Sequence, residues 1–151
     1  MNLTNILDLP NIIVDDFSVY QNRYQINCHS TVSEAYCPDC HCITSRTKVY
    51  YRRKLQDLPI TDHSVYLTIR LRKFVCLNPA CGRHVFTERL SFAANNARRT
   101  KRLDDFILRT VVDQSSIATA TLLGKVGITI KKSAICDLLK KNDLNTHQYQ
   151  C

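Results

Sequence analysis

Two short cysteine spacings constrain this chain more than any other feature it carries. Cys37-Pro38-Asp39-Cys40 closes a C-x2-C turn, and Cys76-Leu77-Asn78-Pro79-Ala80-Cys81 closes a C-x4-C turn. A tight turn of this length aims two thiolates at one point. Two such turns supply the four sulfurs of a closed tetrahedral zinc site. A redox C-x-x-C would not need the second pair, and no thioredoxin-like βαβ pattern surrounds the first. A zinc deaminase would need H-x-E, and none of the five histidines is followed by x-Glu. Four cysteines leave no position for a reactive water, so the expected cofactor is structural zinc. It would hold together a small β unit with little core of its own.

The stretches beside these turns read as strands. Val65, Leu67, Ile69 and Leu71 alternate with Tyr66, Thr68, Arg70 and Arg72, a period of two that predicts one buried and one exposed face. Val49, Tyr51 and Leu55 share one parity and Lys48, Tyr50, Arg52 and Lys54 the other, with Arg53 out of step. Asp57 to His63 reads as the turn region that pairs the two runs as a hairpin. A third short strand is expected around His84 to Glu88, two more between Ile12 and Val32, and a helical turn or two over residues 3–9 ending at Pro10.

After Ser91 the period changes. Leu103, Phe106, Ile107 and Val111 fall at helical spacing. A second helix is expected after Ser115 or Ser116, either of which suits an N-cap. It carries Ile117, Ala120 and Leu123 and stops near Gly127. A third, from about Lys131 to Lys141, places Ile135, Leu138 and Leu139 on one side. The polar tail from Asn142 to Cys151 reads as frayed.

The charge is unevenly placed. Up to Ser45 there is one basic residue against five acids; from Arg46 onward there are 20 against 8. Such a split favours a polyanionic partner, nucleic acid first among them. Three groups carry the expected contacts. Lys48, Arg52, Lys54, Arg70 and Arg72 share the polar parity of the hairpin, with Tyr50 and Tyr66 among them. Arg98, Arg99, Lys101 and Arg102 surround the start of the first long helix, where cations oppose the helix dipole unless a phosphate backbone compensates. The last two helices have helix-turn-helix spacing. In that motif the N-terminal residues of the second helix enter the major groove, here Lys131, Lys132 and Ser133. The apolar stretch from Leu3 to Val14 is broken by Asp8 and Pro10 and has no basic leader, so neither a signal peptide nor a membrane span is expected, and the cytoplasm is the expected compartment.

The run from Cys37 to Leu90 carries more than spacing. CPDC, then YYRRKLQDLPI, then VYLTIRLRKFVCLNPAC, then VFTERL resembles the zinc-ribbon segment of the ISL-three family of bacterial insertion-sequence transposases. The following ARRTKRLDDFI and the helix pair are similar to that family's helix-turn-helix, so the resemblance covers roughly residues 10 to 141. It implies that Cys37, Cys40, Cys76 and Cys81 hold the zinc. It also implies that the helix starting near Lys131 reads double-stranded DNA at the terminal inverted repeats of a mobile element, in a nucleoid-associated protein. Members of that family carry Gly after the first knuckle, Gly in the hairpin turn and a Ser-like cap on the recognition helix. This chain has His41-Cys42, Asp62 and Lys131 at those places. The resemblance assigns catalysis to an RNase H-like domain that would follow residue 141. Asp57, Glu88 and Asp104 match none of its catalytic positions, so this chain alone is expected not to be an enzyme.

The expected fold class is α+β: a β-hairpin zinc ribbon with a four-cysteine site over residues 1–91, then a three-helix helix-turn-helix domain over 92–151. Two rival functions remain at this point. One is a regulatory or protein-interaction module, a truncated transposase that self-associates or pairs with the full-length protein. The other is single-strand or RNA binding through Tyr50, Tyr51 and Tyr66.

Overall fold

A computed structural model describes residues 2–142; the expectation of a frayed tail over 143–151 lies outside the described residues. The chain is mixed α+β: a β-sheet region bearing a four-cysteine cluster, then three C-terminal helices. It opens with α1 (Leu3–Leu7), capped by the Asn2 side chain and ended by Asp8 in the left-handed conformation. Strands β1 (Ile12–Tyr20) and β2 (Arg23–Ser30) follow as an antiparallel pair. Two short strands, β3 (Ala35–Tyr36) and β4 (Ile43–Thr44), flank the first cysteine turn. Next come the long arms of the hairpin, β5 (Thr47–Ile60) and β6 (His63–Val75), and then β7 (Val85–Thr87).

The main sheet runs β1-β2-β6-β5, with β7 also paired to β6. β2 lies parallel to β6 while every other pair is antiparallel. This mixed topology has no signature in the sequence. Period-two alternation says which side chains share a face but not the direction of the neighbouring strand. On the inner face, Val65, Leu67, Ile69 and Leu71 are fully buried and meet Ile26 and Cys28 of β2, Leu55 of β5, and Leu7, Leu9, Leu90 and Ala93 from the covering segments. Each such aliphatic side chain contributes about 1.5–3 kcal/mol by leaving water, so this row anchors the unit. Burial among these groups also pushes the Cys28 thiol up to about 12, with Asp15 adding to the rise, so it behaves as a small apolar residue.

Two expectations about the hairpin need correction. Asp57 to His63 is not a turn: β5 continues to Ile60, Ile60 pairs with His63, and only Thr61 and Asp62 make the reversal. Val49 shares parity with buried residues yet is exposed, because the sheet's covering segments do not reach that far along β5. Arg53, the residue out of step, points inward by design. Its guanidinium donates to the carbonyls of Ala94 and Ala97 (the latter at 3.0 Å) and fastens the segment after Ser91 beneath the sheet.

The helices are α2 (Lys101–Val111), α3 (Ser116–Lys125) and α4 (Lys132–Lys141). Thr100 and Ser115 cap the first two by accepting from the amides of Leu103 and Ala118. Lys131 occupies the N-cap of α4 without a side-chain cap hydrogen bond. Leu103, Ile107, Val111, Leu123, Ile128, Ile135, Leu138 and Leu139 form their own core. The expected face of α3 is corrected in part: Leu123 is buried as expected, but Ile117 is 60% exposed, and Ser116 and Thr119 face inward in its place. Small side chains there let the three helices approach closely, an arrangement that apolar periodicity cannot reveal. Phe106, expected in the core stripe of α2, is also exposed.

Among the contacts that join the helices to the sheet, two stand out. The buried Asp57 carboxylate accepts from Arg102 Nε at 2.8 Å, from Arg102 Nη2, from the Thr100 hydroxyl at 2.8 Å and from the Leu58 amide at 2.8 Å. Arg102 also donates to the Leu7 carbonyl at 2.8 Å, so one guanidinium ties α1, β5 and α2 together. The second contact is Gly127, at φ 87°, in the turn between α3 and α4. A Cβ on Gly127 would lie 2.9 Å from Ser64 N, 3.0 Å from Asp62 O and 3.1 Å from His63 C. The α3–α4 turn therefore sits against the tip of the hairpin, backbone to backbone.

Candidate metal centre and basic face

The metal centre lies at the end of the hairpin remote from Gly127. Cys37 and Cys40 stand between β3 and β4, and Cys76 and Cys81 between β6 and β7. All four Sγ atoms lie within 4.8 Å of one another. Cys37 and Cys81 approach to 3.9 Å and Cys40 and Cys76 to 3.5 Å. Four thiolates about 2.3 Å from a tetrahedral zinc are separated by about 3.8 Å, so the cluster has the dimensions the ion requires.

The local backbone explains why these turns form. The Cys37 amide donates to the Cys42 carbonyl at 3.0 Å and the His41 amide to the Cys37 carbonyl at 2.9 Å, curling the knuckle. This curl puts His41 at φ 60°, in the left-handed region that favours glycine. At the second turn the Cys76 amide donates to the His84 carbonyl at 3.0 Å and the Cys81 amide to the Asn78 carbonyl at 3.1 Å. The two turns are tied to each other by Arg83 Nε and Asp39 Oδ2 at 2.9 Å. Phe74 and Phe86 stack beneath them with centroids 5.8 Å apart, next to Cys37 and Cys81. That is a small core, and a four-thiolate zinc would supply the rest of its cohesion.

The sulfur environment also suits a metal. An amide from Cys42 reaches the Cys40 sulfur and holds its thiol down at about 6. At Cys76 the Asn78 amide acts in the same direction, but burial and the crowding of the other thiols push it up to about 12. At Cys81 the Arg83 amide likewise lowers the thiol, and burial with the neighbouring thiols raises it overall. One thiol ready to ionise beside others that resist it is what proton-sharing sulfurs show before a cation takes the protons' place. Cys42 is exposed, and the His84 backbone carbonyl accepts from Cys76; among the described residues the cluster is formed by the four cysteines without either side chain.

The outer face of the sheet is the second feature. Cross-strand register sets Arg52 opposite Arg70, Tyr50 opposite Arg72 and Lys54 opposite Thr68. Directly opposed like charges destabilise a sheet. Among the described residues, no carboxylate forms an ion pair with the side chains of Lys48, Arg52, Lys54, Arg70 or Arg72, although Glu88 accepts from the Arg72 backbone amide at 3.2 Å. Arg70 and Arg72 lie over the Tyr50 ring, 5.1 Å and 5.5 Å from its centroid, and Arg23 lies 4.3 Å from that of Tyr66. The aromatics thus spread the cations into a layer instead of neutralising them. Acids collect at the far edge, where Asp15 pairs with His29 and Asp16 accepts from Asn27, both at 2.7 Å.

The cluster before α2 divides. Arg98 is exposed and meets no described carboxylate; Lys101 is exposed and donates to the Ser91 carbonyl at 2.8 Å. Arg99 is held by Asp104 at 2.6 Å, and Arg102 belongs to the Asp57 latch. Two of these four cations are therefore neutralised inside the protein, which removes much of the cost expected from cations at a helix N-terminus. Lys131, Lys132 and Ser133 are all exposed at the start of α4, while Ile135, Leu138 and Leu139 turn inward. Sequence reasoning missed Gln56, whose backbone bonds to Arg98 and Thr100, and the roles of Asp57 and Arg53. The charged residue out of step in an alternating strand was the available signal for Arg53.

Residues 33–81 match the family described as the zinc-finger of transposase IS204/IS1001/IS1096/IS1165, a span that starts just before the first knuckle and ends on Cys81. The segment is a zinc finger of that transposase family, and its four cysteines are the zinc site. No curated protein and no solved structure matches the chain. No described helix is long and apolar enough to cross a membrane.

Proposed function

We propose that this chain binds duplex DNA, recognising the terminal inverted repeats of a mobile element as a non-catalytic part of a transposase. The observation that carries this reading is the open face of the sheet, where Arg52 opposes Arg70 with Lys54 and Arg72 beside them and no described carboxylate in an ion pair with their side chains. A fold keeps such a like-charge juxtaposition when a polyanion offsets it on binding. The transposase zinc finger over 33–81 supplies the biological context.

In this reading the two ends of the molecule have separate tasks. Zinc rigidifies one end of the hairpin, so that Lys48, Arg52, Lys54, Arg70 and Arg72 present a fixed row to the phosphate backbone and set register. At the other end α3 and α4 form a helix-turn-helix, with four residues, Gly127 to Ile130, between the cap positions Val126 and Lys131. Lys131, Lys132 and Ser133 enter the major groove, and Arg98 and Lys101 hold flanking phosphates. Arg99 and Arg102 are left out because Asp104 and Asp57 occupy them. Lys132→Ala should cost about 1–3 kcal/mol on the cognate repeat and relax specificity, whereas Arg70→Ala should weaken cognate and random duplexes alike. Equal losses on both DNAs for both variants would remove the assignment of α4 as the reading helix.

A second reading rests on exposed apolar side chains in the helical unit, Val112, Ile117, Leu122 and Val126. These suit a regulatory module that associates with itself or with a full-length transposase. Light scattering separates the two: a chain that stays monomeric at high concentration and does not bind the full-length protein lacks this activity.

A further inference from the structure

Gln56 sits on the outer face of β5, in register with Tyr66 of β6. Its amide donates to the Arg98 carbonyl at 2.8 Å, and its carbonyl accepts from the Thr100 amide at 3.0 Å. The segment carrying Arg98 and Arg99 is thereby fastened alongside β5. Between them opens a cleft of about 440 Å³, lined by Lys54, Gln56, Tyr66, Arg98, Arg99 and Thr129. Gln56 is 6% exposed, and among the described residues its Nε2 has no hydrogen-bond partner. A buried donor left without an acceptor costs free energy unless a ligand supplies one. Lys54 and Arg98 form no ion pair with a described carboxylate, Asp104 is engaged by Arg99 through Nε, and Asp57 by Arg102. Tyr66 already carries Arg23 on its ring. Two unpaired cations, Lys54 and Arg98, thus line one cavity with Gln56 and the hydroxyl-bearing Tyr66 and Thr129, and its described lining holds no acid.

We propose that this cleft is a phosphate site in which the Gln56 amide is the neutral donor and Lys54 and Arg98 are the cations. The NH2 group is buried in this structure, and a turn of the side-chain torsion would bring it to the cleft, where an anion could accept from it. The volume accommodates a phosphate with its flanking sugar. Thr129 belongs to the turn before α4 and Lys54 to the sheet, so one bound phosphodiester touches both units and fixes the reading helix relative to the basic face. That a DNA strand is the source rests on the duplex-binding reading above; the anion site itself does not.

The test follows the Gln56 side-chain amide by nitrogen-15 NMR in the full chain, titrated with inorganic phosphate against chloride at equal ionic strength. The Gln56 NH2 pair should shift saturably with phosphate while that of Gln25, on the same face, stays still. Gln56→Leu, which removes the unpartnered donor and keeps the bulk, should weaken phosphate binding about fivefold. It should weaken duplex binding to a similar extent without changing the salt dependence, since a neutral donor releases no counterion. Lys54→Ala should lower the salt slope by about one. A silent Gln56 amide, or a Leu variant that holds phosphate as tightly as the parent, overturns the site even if duplex binding survives. A Gln56 amide that responds to phosphate in a chain that binds no duplex sustains the site and removes the DNA reading.

Discussion

Gly127→Ala tests how the helices are held to the sheet. The new methyl group meets three backbone atoms of the hairpin tip at 2.9 to 3.1 Å, and none of these can swing aside as a side chain could. Placing an L-residue at φ 87° costs about 1–2 kcal/mol, and relieving the overlap by moving the turn or the hairpin costs about 1–3 kcal/mol more. Alanine returns about 0.4–1 kcal/mol by restricting the unfolded chain. The net expectation is a loss of about 2–4 kcal/mol. Gly124 provides an internal control with the opposite sign: it lies within α3, has nothing within 4 Å of its Cβ position, and should gain about 0.5–1 kcal/mol as alanine. Urea unfolding of the zinc-loaded chain, read by circular dichroism, measures both. If Gly127→Ala unfolds within about 0.5 kcal/mol of the parent, the tip contact does not hold the helices and the reasoning fails.

Three further outcomes follow from the same structure. Asp57→Asn should destabilise the chain by about 2–3 kcal/mol, because it leaves the Arg102 guanidinium half-buried without its counter-charge; a loss under about 1 kcal/mol in urea would show that the latch is incidental. Thr61→Gly should raise stability by about 1 kcal/mol, since a β-branched residue at φ 59° is strained, and an unchanged or lower midpoint would contradict this. Chelating the zinc should strip amide-exchange protection from the cluster around Phe74 and Phe86 while leaving that of Ile107 and Ile135, which belong to a separate core; uniform loss or no loss at all would contradict a local structural role.

The zinc site was legible because thiolate spacing within a turn is a local property, and the same holds for the cap at Ser115. The inner face of β6 was legible because alternation is strict there. What escaped depends on partners distant along the chain. Nothing in β2 announces that it runs parallel to β6, and nothing in Asp57 announces Arg102, 45 residues on. The sequence Asp57-Leu58-Pro59 suggested a turn by composition, yet the strand continues because Asp57 has its own buried partners and the reversal falls at Thr61. In α3 the apolar Ile117 was expected inside, but close helix packing selected Ser116 and Thr119 for that face. Gln56 escaped because an amide in a strand has no periodic signal; its meaning appears only once Arg98 is beside it.

The most direct test of the account is binding of the zinc-loaded chain to a duplex carrying its element's terminal repeat and to a scrambled duplex of equal length, over a series of salt concentrations. The account predicts a preference for the repeat of at least about 10³-fold that survives moderate salt, on top of a shared steep salt dependence from the basic face. Equal and equally salt-sensitive affinity for both duplexes would contradict it: the sheet would then hold DNA without α4 reading it.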